Sequence, residues 1–230
     1  MRRKTIALFA AAGAFALGSP QANAISVGFQ AIIGNQIQFD PASDTFRFVN
    51  GAGNDTGLDF TLALVDGAFK PGTSLLTGEI NGTFSISGIT SVDATTEKAT
   101  VTSSFGANLK IHAADGLFEG KINWIELRTE GTGGDLNLFG QVNLTDIDYS
   151  GFNPDLLALM GADDEASAAV SFTFNPAKSI SQLTQPPTSG TSSTHQTGYT
   201  GALTSVPDGG TSAILLGLSL IGLGAVRRKS

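Results

Sequence analysis

Few side chains in this chain belong to the types that carry out group-transfer chemistry. There are two histidines, His112 and His195, and no cysteine. Without Cys there is no thiolate nucleophile, no thiolate metal site, no disulfide scaffold and no lipidated N-terminal Cys. His112 falls in the strand-like Leu109-Lys110-Ile111-His112-Ala113 and reads as a surface strand residue. His195 sits in a hydroxyl-rich stretch where nothing would position it as a base. No Gly-x-Ser-x-Gly elbow accompanies either one, so a Ser-His-acid triad has no support. The chain is not expected to be an enzyme.

Carboxylates are more plentiful. Glu119, Glu126, Glu130, Asp135, Asp146 and Asp148 lie within one region, and two suitably spaced carboxyls suffice for glycoside hydrolysis. Glu119 and Glu126 stand an odd number of residues apart, so regular strand pairing sends them to opposite faces unless a bulge intervenes. Most of these groups are expected to face solvent. Calcium is the one cofactor with any candidates. The stretch from Asn50 to Gly57 carries a single Gly-x-Gly-x-Asp unit ending at Asp55, half of a calcium-binding nonapeptide repeat, but a lone copy cannot build the stacked site. Asp163, Asp164 and Glu165 form a second acidic run of hard oxygen ligands on a loop. The single Trp, Trp124, shares a face with Phe118 and Ile122, which favours a place in the core over a sugar-stacking platform.

The most organised stretch is the C-terminal one, residues 206–230, VPDGGTSAILLGLSLIGLGAVRRKS. A Pro-Asp-Gly-Gly turn leads into an uncharged apolar run, residues 211–226, followed by Arg227-Arg228-Lys229. Sixteen helical residues reach roughly 24 Å, short of a hydrocarbon core about 30 Å thick. Such a helix lodges in a bilayer only by thinning it or leaning on its flanks. At the other end, Met1 to Ala24 combine a basic start (Arg2, Arg3, Lys4), an apolar run over residues 5–17, and Ala22-Asn23-Ala24 in the small-x-small pattern that signal peptidase cuts after. The basic residues beside each run place both ends in the cytoplasm and everything between them outside.

Motif, apolar helix and Arg cluster in that order resemble the PEP-CTERM class of bacterial sorting signals, closest to the VPDSG-CTERM variant, with Gly209 where that name has Ser. The resemblance implies recognition at Val206-Pro207-Asp208-Gly209, cleavage there by an exosortase-type membrane protease, a stop at Arg227 and Arg228, and delivery to the cell surface or exopolysaccharide matrix. It covers about a tenth of the chain and implies nothing about the domain that is carried.

Six of the 13 Lys and Arg lie in these two end segments, but only one of the 20 acidic residues, Asp208, does; the rest of the chain therefore has seven basic and 19 acidic residues, a net of −12. So negative a body disfavours nucleic acid and anionic lipid as partners. Its apolar residues recur at period two: Leu58, Phe60, Leu62 and Leu64; Phe84 and Ile86; Leu136, Leu138, Val142 and Leu144; Val170, Phe172 and Phe174. Asn50-Gly51, Asp66-Gly67, Asn81-Gly82 and Asp115-Gly116 supply tight turns, with Asp66-Gly67 the best type I′ hairpin. Parity changes between Trp124 and Ile125, which predicts a bulge there. Asn153, Pro154 and Gly161 frame one short helix as N-cap, first residue and stop.

These patterns predict an antiparallel β-sandwich of nine or ten strands over residues 25–178, with one connector helix. A flexible Ser/Thr/Pro/Gly-rich stalk follows over 179–205, whose hydroxyls could carry O-glycans, and then the sorting signal with its apolar helix. The function expected is an exported surface or biofilm-matrix protein of structural or adhesive role. A polysaccharide-binding module is the alternative and a glycoside hydrolase the third reading. The partners are signal peptidase, the exosortase, the membrane before cleavage and, as a candidate, extracellular polysaccharide.

Overall fold

The computed structural model describes residues 24–51, 53, 57–130, 137–161, 163–185 and 194–206. They belong to one compact unit, Ala24–Asp208. Thirteen strands are found among them: β1 (Ser26–Ala31), β2 (Gln36–Asp40), β3 (Thr45–Val49), β4 (Phe60–Val65), β5 (Thr77–Asn81), β6 (Phe84–Ser91), β7 (Glu97–Ser103), β8 (Asn108–Ala113), β9 (Gly116–Glu130), β10 (Asn137–Tyr149), β11 (Ala166–Thr173), β12 (His195–Thr197) and β13 (Tyr199–Ser205). Two short helices, α1 (Pro154–Met160) and α2 (Ile180–Leu183), complete the set. All pairings are antiparallel.

The expected all-β class is present, but the expected sandwich is not. Hydrogen bonds run β1-β4-β5-β8-β9-β10-β11-β13 and back to β1, closing an eight-stranded barrel. The strand that makes this possible is β9. Its first half pairs with β8 and its second half with β7, while β10 runs along its other edge throughout. From β7 the sheet continues as a branch, β6-β3-β2-β12, and β12 leads through Gly198 into β13 of the barrel. Period-two alternation is the same for a sandwich and a barrel. The choice depends on which edges meet, and no single strand carries that information.

The bulge expected beside Trp124 is there. Gln141 pairs with Glu126 and Val142 with Trp124, leaving Ile125 as the extra residue. It points outward, 48% exposed, so that Leu127 returns to the core at 0%. The tight turn at Asp66-Gly67 also forms, both residues at positive φ (50° and 77°) and bridged from Val65 to Ala68. It is not followed by a strand: a loop runs from there to Thr77. At Asp115-Gly116 the hairpin closes one residue earlier, with Ala113 paired to Gly116.

The barrel interior is filled by side chains, as eight strands allow. The branch shares this core: Phe46 of β3 stacks on Phe84 of β6, centroids 5.1 Å apart, and Trp124 of β9 stands edge-on to both. Phe48 meets Tyr199 edge to face at 4.8 Å. Two glycines admit rings by close approach. A Cβ at Gly140 would overlap Trp124, and one at Gly201 would overlap Phe29 and the Ala169 carbonyl.

The stalk expected over residues 179–205 is corrected at both described ends. Ser179 caps α2, whose Ile180 and Leu183 are fully buried, and residues 199–205 form β13, hydrogen-bonded on both edges. Averaged composition hides the alternation here. Tyr199, Leu203 and Ser205 are buried, and Gly201 takes the Phe29 ring, while Thr200 faces out. A strand flanked on both sides gains its stability from neighbours' side chains and backbone bonds, so few apolar residues of its own are needed. Residues 186–193 lie outside the described residues.

Among the described residues no helix is long and apolar enough to cross a membrane. The apolar helix expected over 211–226 lies outside them, as do Asp55, Pro207, Asp208, Gly209, Arg227 and Arg228.

Candidate functional site

Antiparallel order brings eight strand ends to one rim of the barrel: the starts of β1, β5, β9 and β11 and the finishes of β4, β8, β10 and β13. Residues that sequence places at the two processing points therefore meet there. The Ile25 N–H donates to Ser205 Oγ at 3.0 Å, and the Ser205 N–H donates to the Ile25 carbonyl at 3.1 Å. Ile25 and Ser205 are buried, whereas Ala24 just before and Val206 just after are exposed. Ala24 and Val206, the described members of the two expected processing sites, thus stand exposed just outside the sheet, while Pro207, Asp208 and Gly209 lie outside the described residues.

Three loops build the rest of this rim. The Asp66 N–H donates to the Ser26 carbonyl and its carboxylate accepts from the Ser26 N–H, fixing the β4–β5 loop beside the chain entry. Lys70 on that loop donates to Asp155 at 2.8 Å, and Thr73 to the same carboxylate at 2.6 Å. Burial works to raise the Asp155 carboxyl, but the Lys70 ammonium and Thr73 hydroxyl outweigh it and hold the group below the usual carboxylate range. Lys70 is raised in turn, chiefly by its hydrogen bond to Asp155. Helix α1 has the cap expected of it: Asn153 Oδ1 accepts from the N–H groups of Asp155 and Leu156, Pro154 opens the helix and Gly161, at φ 71°, ends it. Its Leu156 and Leu159 are fully buried, so α1 is a lid on this rim. Asp115 accepts from the Phe152 N–H and the Tyr149 hydroxyl, bonds that hold its carboxyl low and tie the lid's approach to the β8–β9 turn.

The other candidates are scattered. His112 faces out, 3.5 Å from Glu79. His195, expected in a stalk, instead lies in β12 opposite Phe39, where burial and then Lys178 push its imidazole down. The bulge at Ile125 puts Glu119 and Glu126 on the same outward face, yet seven residues of strand separate them by about 20 Å, too far for a hydrolytic pair. Each lies near a lysine, Lys110 and Lys98 respectively, at 3.9 Å. Asp146 pairs with Lys121 at 2.7 Å. Among the described residues no three His, Asp or Glu gather as metal ligands, and Asp163, Asp164 and Glu165 stand exposed before β11. Trp124 is only 8% exposed inside the barrel and offers no ring to a sugar.

Sequence reasoning missed a cleft at the opposite rim. It has a volume of about 470 Å³ and is lined by Gln30, Asn35, Ser171, Thr173, Thr197 and Thr200 among others. Beneath it the Tyr199 hydroxyl donates to the Asp59 carbonyl at 3.1 Å, and burial keeps that phenol protonated far above its usual range. The cleft forms where β12 and β13 part, at Gly198. That division is visible only once the strand pairing is known.

Residues 205–230 match the family model of the VPDSG-CTERM motif. This is a PEP-CTERM-like C-terminal sorting signal, which points to export, cell-surface sorting and processing by an exosortase-type system. The match begins at Ser205, the last residue of β13. No curated protein and no solved structure matches the chain.

Proposed function

We propose that this chain is an exported bacterial protein whose barrel is carried to the cell surface or extracellular matrix by its tail, cut by an exosortase-type protease near Val206-Pro207-Asp208, and there plays a structural or adhesive, non-catalytic part. The observation that carries the reading is the VPDSG-CTERM match at residues 205–230, which takes over at the residue where the barrel ends. A self-contained barrel on a removable tail suits a cargo released whole. Its −12 body charge keeps it solvated outside the cell. Intact-mass spectrometry of the protein recovered from its native surface or medium tests this. A mass beginning at Ile25 and ending within residues 206–208 is expected; a mass that keeps residues 211–230 would remove the sorting reading.

A second reading, a polysaccharide-binding module, is favoured by the polar cleft between β12 and β13. Amide and hydroxyl groups such as Gln30, Thr173 and Thr200 match the donors and acceptors of sugar hydroxyls. Glycan-array binding lost on Thr200→Val and kept on Trp124→Phe supports it. No binding to any glycan would set it aside.

A further inference from the structure

We infer that the rim carrying both chain ends is a lipid-docking face, on which the barrel rests against the bilayer interface until the tail is cut. The inference rests on reading residues 211–226 as the segment held in the membrane. The β-structure runs to Ser205, so only residues 206–210 separate the sheet from that segment, a reach of at most about 20 Å even when fully extended. So short a connection keeps this rim within reach of the lipid surface.

Its loops present apolar side chains where that surface would lie. Phe69 (57% exposed) and Leu75 (68%) project from the β4–β5 loop, Phe152 (83%) from the approach to α1, and Leu157 from the outer side of the lid. Folding does not use them: the inward side of the lid is already served by Leu156 and Leu159. Phe and Leu side chains standing clear of a surface partition into the acyl boundary of a bilayer. The rim's ionised groups, Asp66, Asp115, Asp155 and the run from Asp163 to Glu165 against Lys70, are mostly acidic, so the lipid selected is zwitterionic and the attraction is apolar rather than electrostatic. Ile33 and Phe105 are equally exposed but lie towards the opposite rim, which makes them internal controls.

Because the chain has no cysteine, single spin labels report each place separately. The full chain, in phosphatidylcholine vesicles, carries a label at Ala158→Cys on the lid, at Phe105→Cys, or at Leu218→Cys in the tail. Collisional relaxation by oxygen and by a nickel chelate gives the depth of each. The expected result is an oxygen-favoured label at 158, a nickel-favoured one at 105 and a hydrocarbon-buried one at 218. Replacing Phe152 and Leu75 by Ser should return the 158 label to water without moving the 218 label. A water-exposed label at 158 beside a buried one at 218 overturns the docking face alone. A water-exposed label at 218 overturns the membrane reading of the tail and, with it, this inference.

Discussion

Ile25 and Ser205, 180 positions apart in sequence, are joined by two hydrogen bonds at one rim of the barrel. The first and last strands of the described unit are thus immediate antiparallel neighbours, β1 beside β13. Removing the leader before Ile25 or the tail after Val206 leaves every β1–β13 ladder bond in place. Maturation at both ends can then proceed without opening the barrel.

Ser205→Ala leaves the buried Ile25 N–H without its side-chain acceptor. A loss of about 1 kcal/mol is expected, read as a lower urea midpoint with unchanged slope. Ser205→Thr, which keeps the hydroxyl, should recover most of it.

Gly201→Ala and Gly140→Ala each place a methyl where an aromatic ring lies, against Phe29 and Trp124 respectively. Overpacking of this kind costs about 1–3 kcal/mol. At Gly201 the Ala169 backbone carbonyl also stands in the way, so the larger drop in melting temperature is expected there. Shrinking the ring in the double variant Gly201→Ala with Phe29→Leu should be less harmful than the sum of its parts.

The Asp155 carboxyl is held low and Lys70 high. Sign follows from direction: the Asp155 contribution is complete above the unfolded carboxylate value, about 3.9, and is lost as pH falls through the lower folded value. The Lys70 contribution is complete below its unfolded value and lost only as pH rises through the raised one. The lid should therefore loosen in acid, below about pH 4. Asp155→Asn should weaken that acid dependence without altering the neutral-pH spectrum of the barrel. Amide exchange of residues 156–160 across pH measures it.

His195 behaves in the opposite chemical sense but gives a similar slope. Burial depresses its pKa, so its contribution is present above the unfolded value near 6.5 and lost as pH falls through the folded one. The three-residue β12 should fray from β2 on mild acidification. Faster exchange of the Gln196 and Thr197 amides near pH 5, abolished in His195→Gln, is the expected result.

Leu156→Ala and Leu159→Ala remove fully buried methyls from the lid. Losses of about 2–5 kcal/mol are expected by chemical denaturation. Both variants should retain the pairing of β1 with β13.

Local rules set a good deal of this protein in advance. Asn153, Pro154 and Gly161 define α1 because capping and termination depend on neighbouring residues alone. Asp66-Gly67 turns where it does because two successive positive φ values suit those residues. Ile125 bulges because alternation breaks parity at that point. The tail, too, is legible on its own, since a sorting signal is read as linear chemistry: turn, apolar run, basic stop. What the tertiary structure alone decided was non-local. Whether alternating strands stack as two sheets or close as a barrel depends on β9 exchanging β8 for β7 along one edge, a matter of register. Residues 199–205 look like linker by composition and become a central strand because β1 and β11 supply the bonds and Phe29 the packing. The meeting of Ile25 with Ser205, and the cleft where β12 leaves β13, arise from closure of the ring, which brings together residues that no sequence spacing relates.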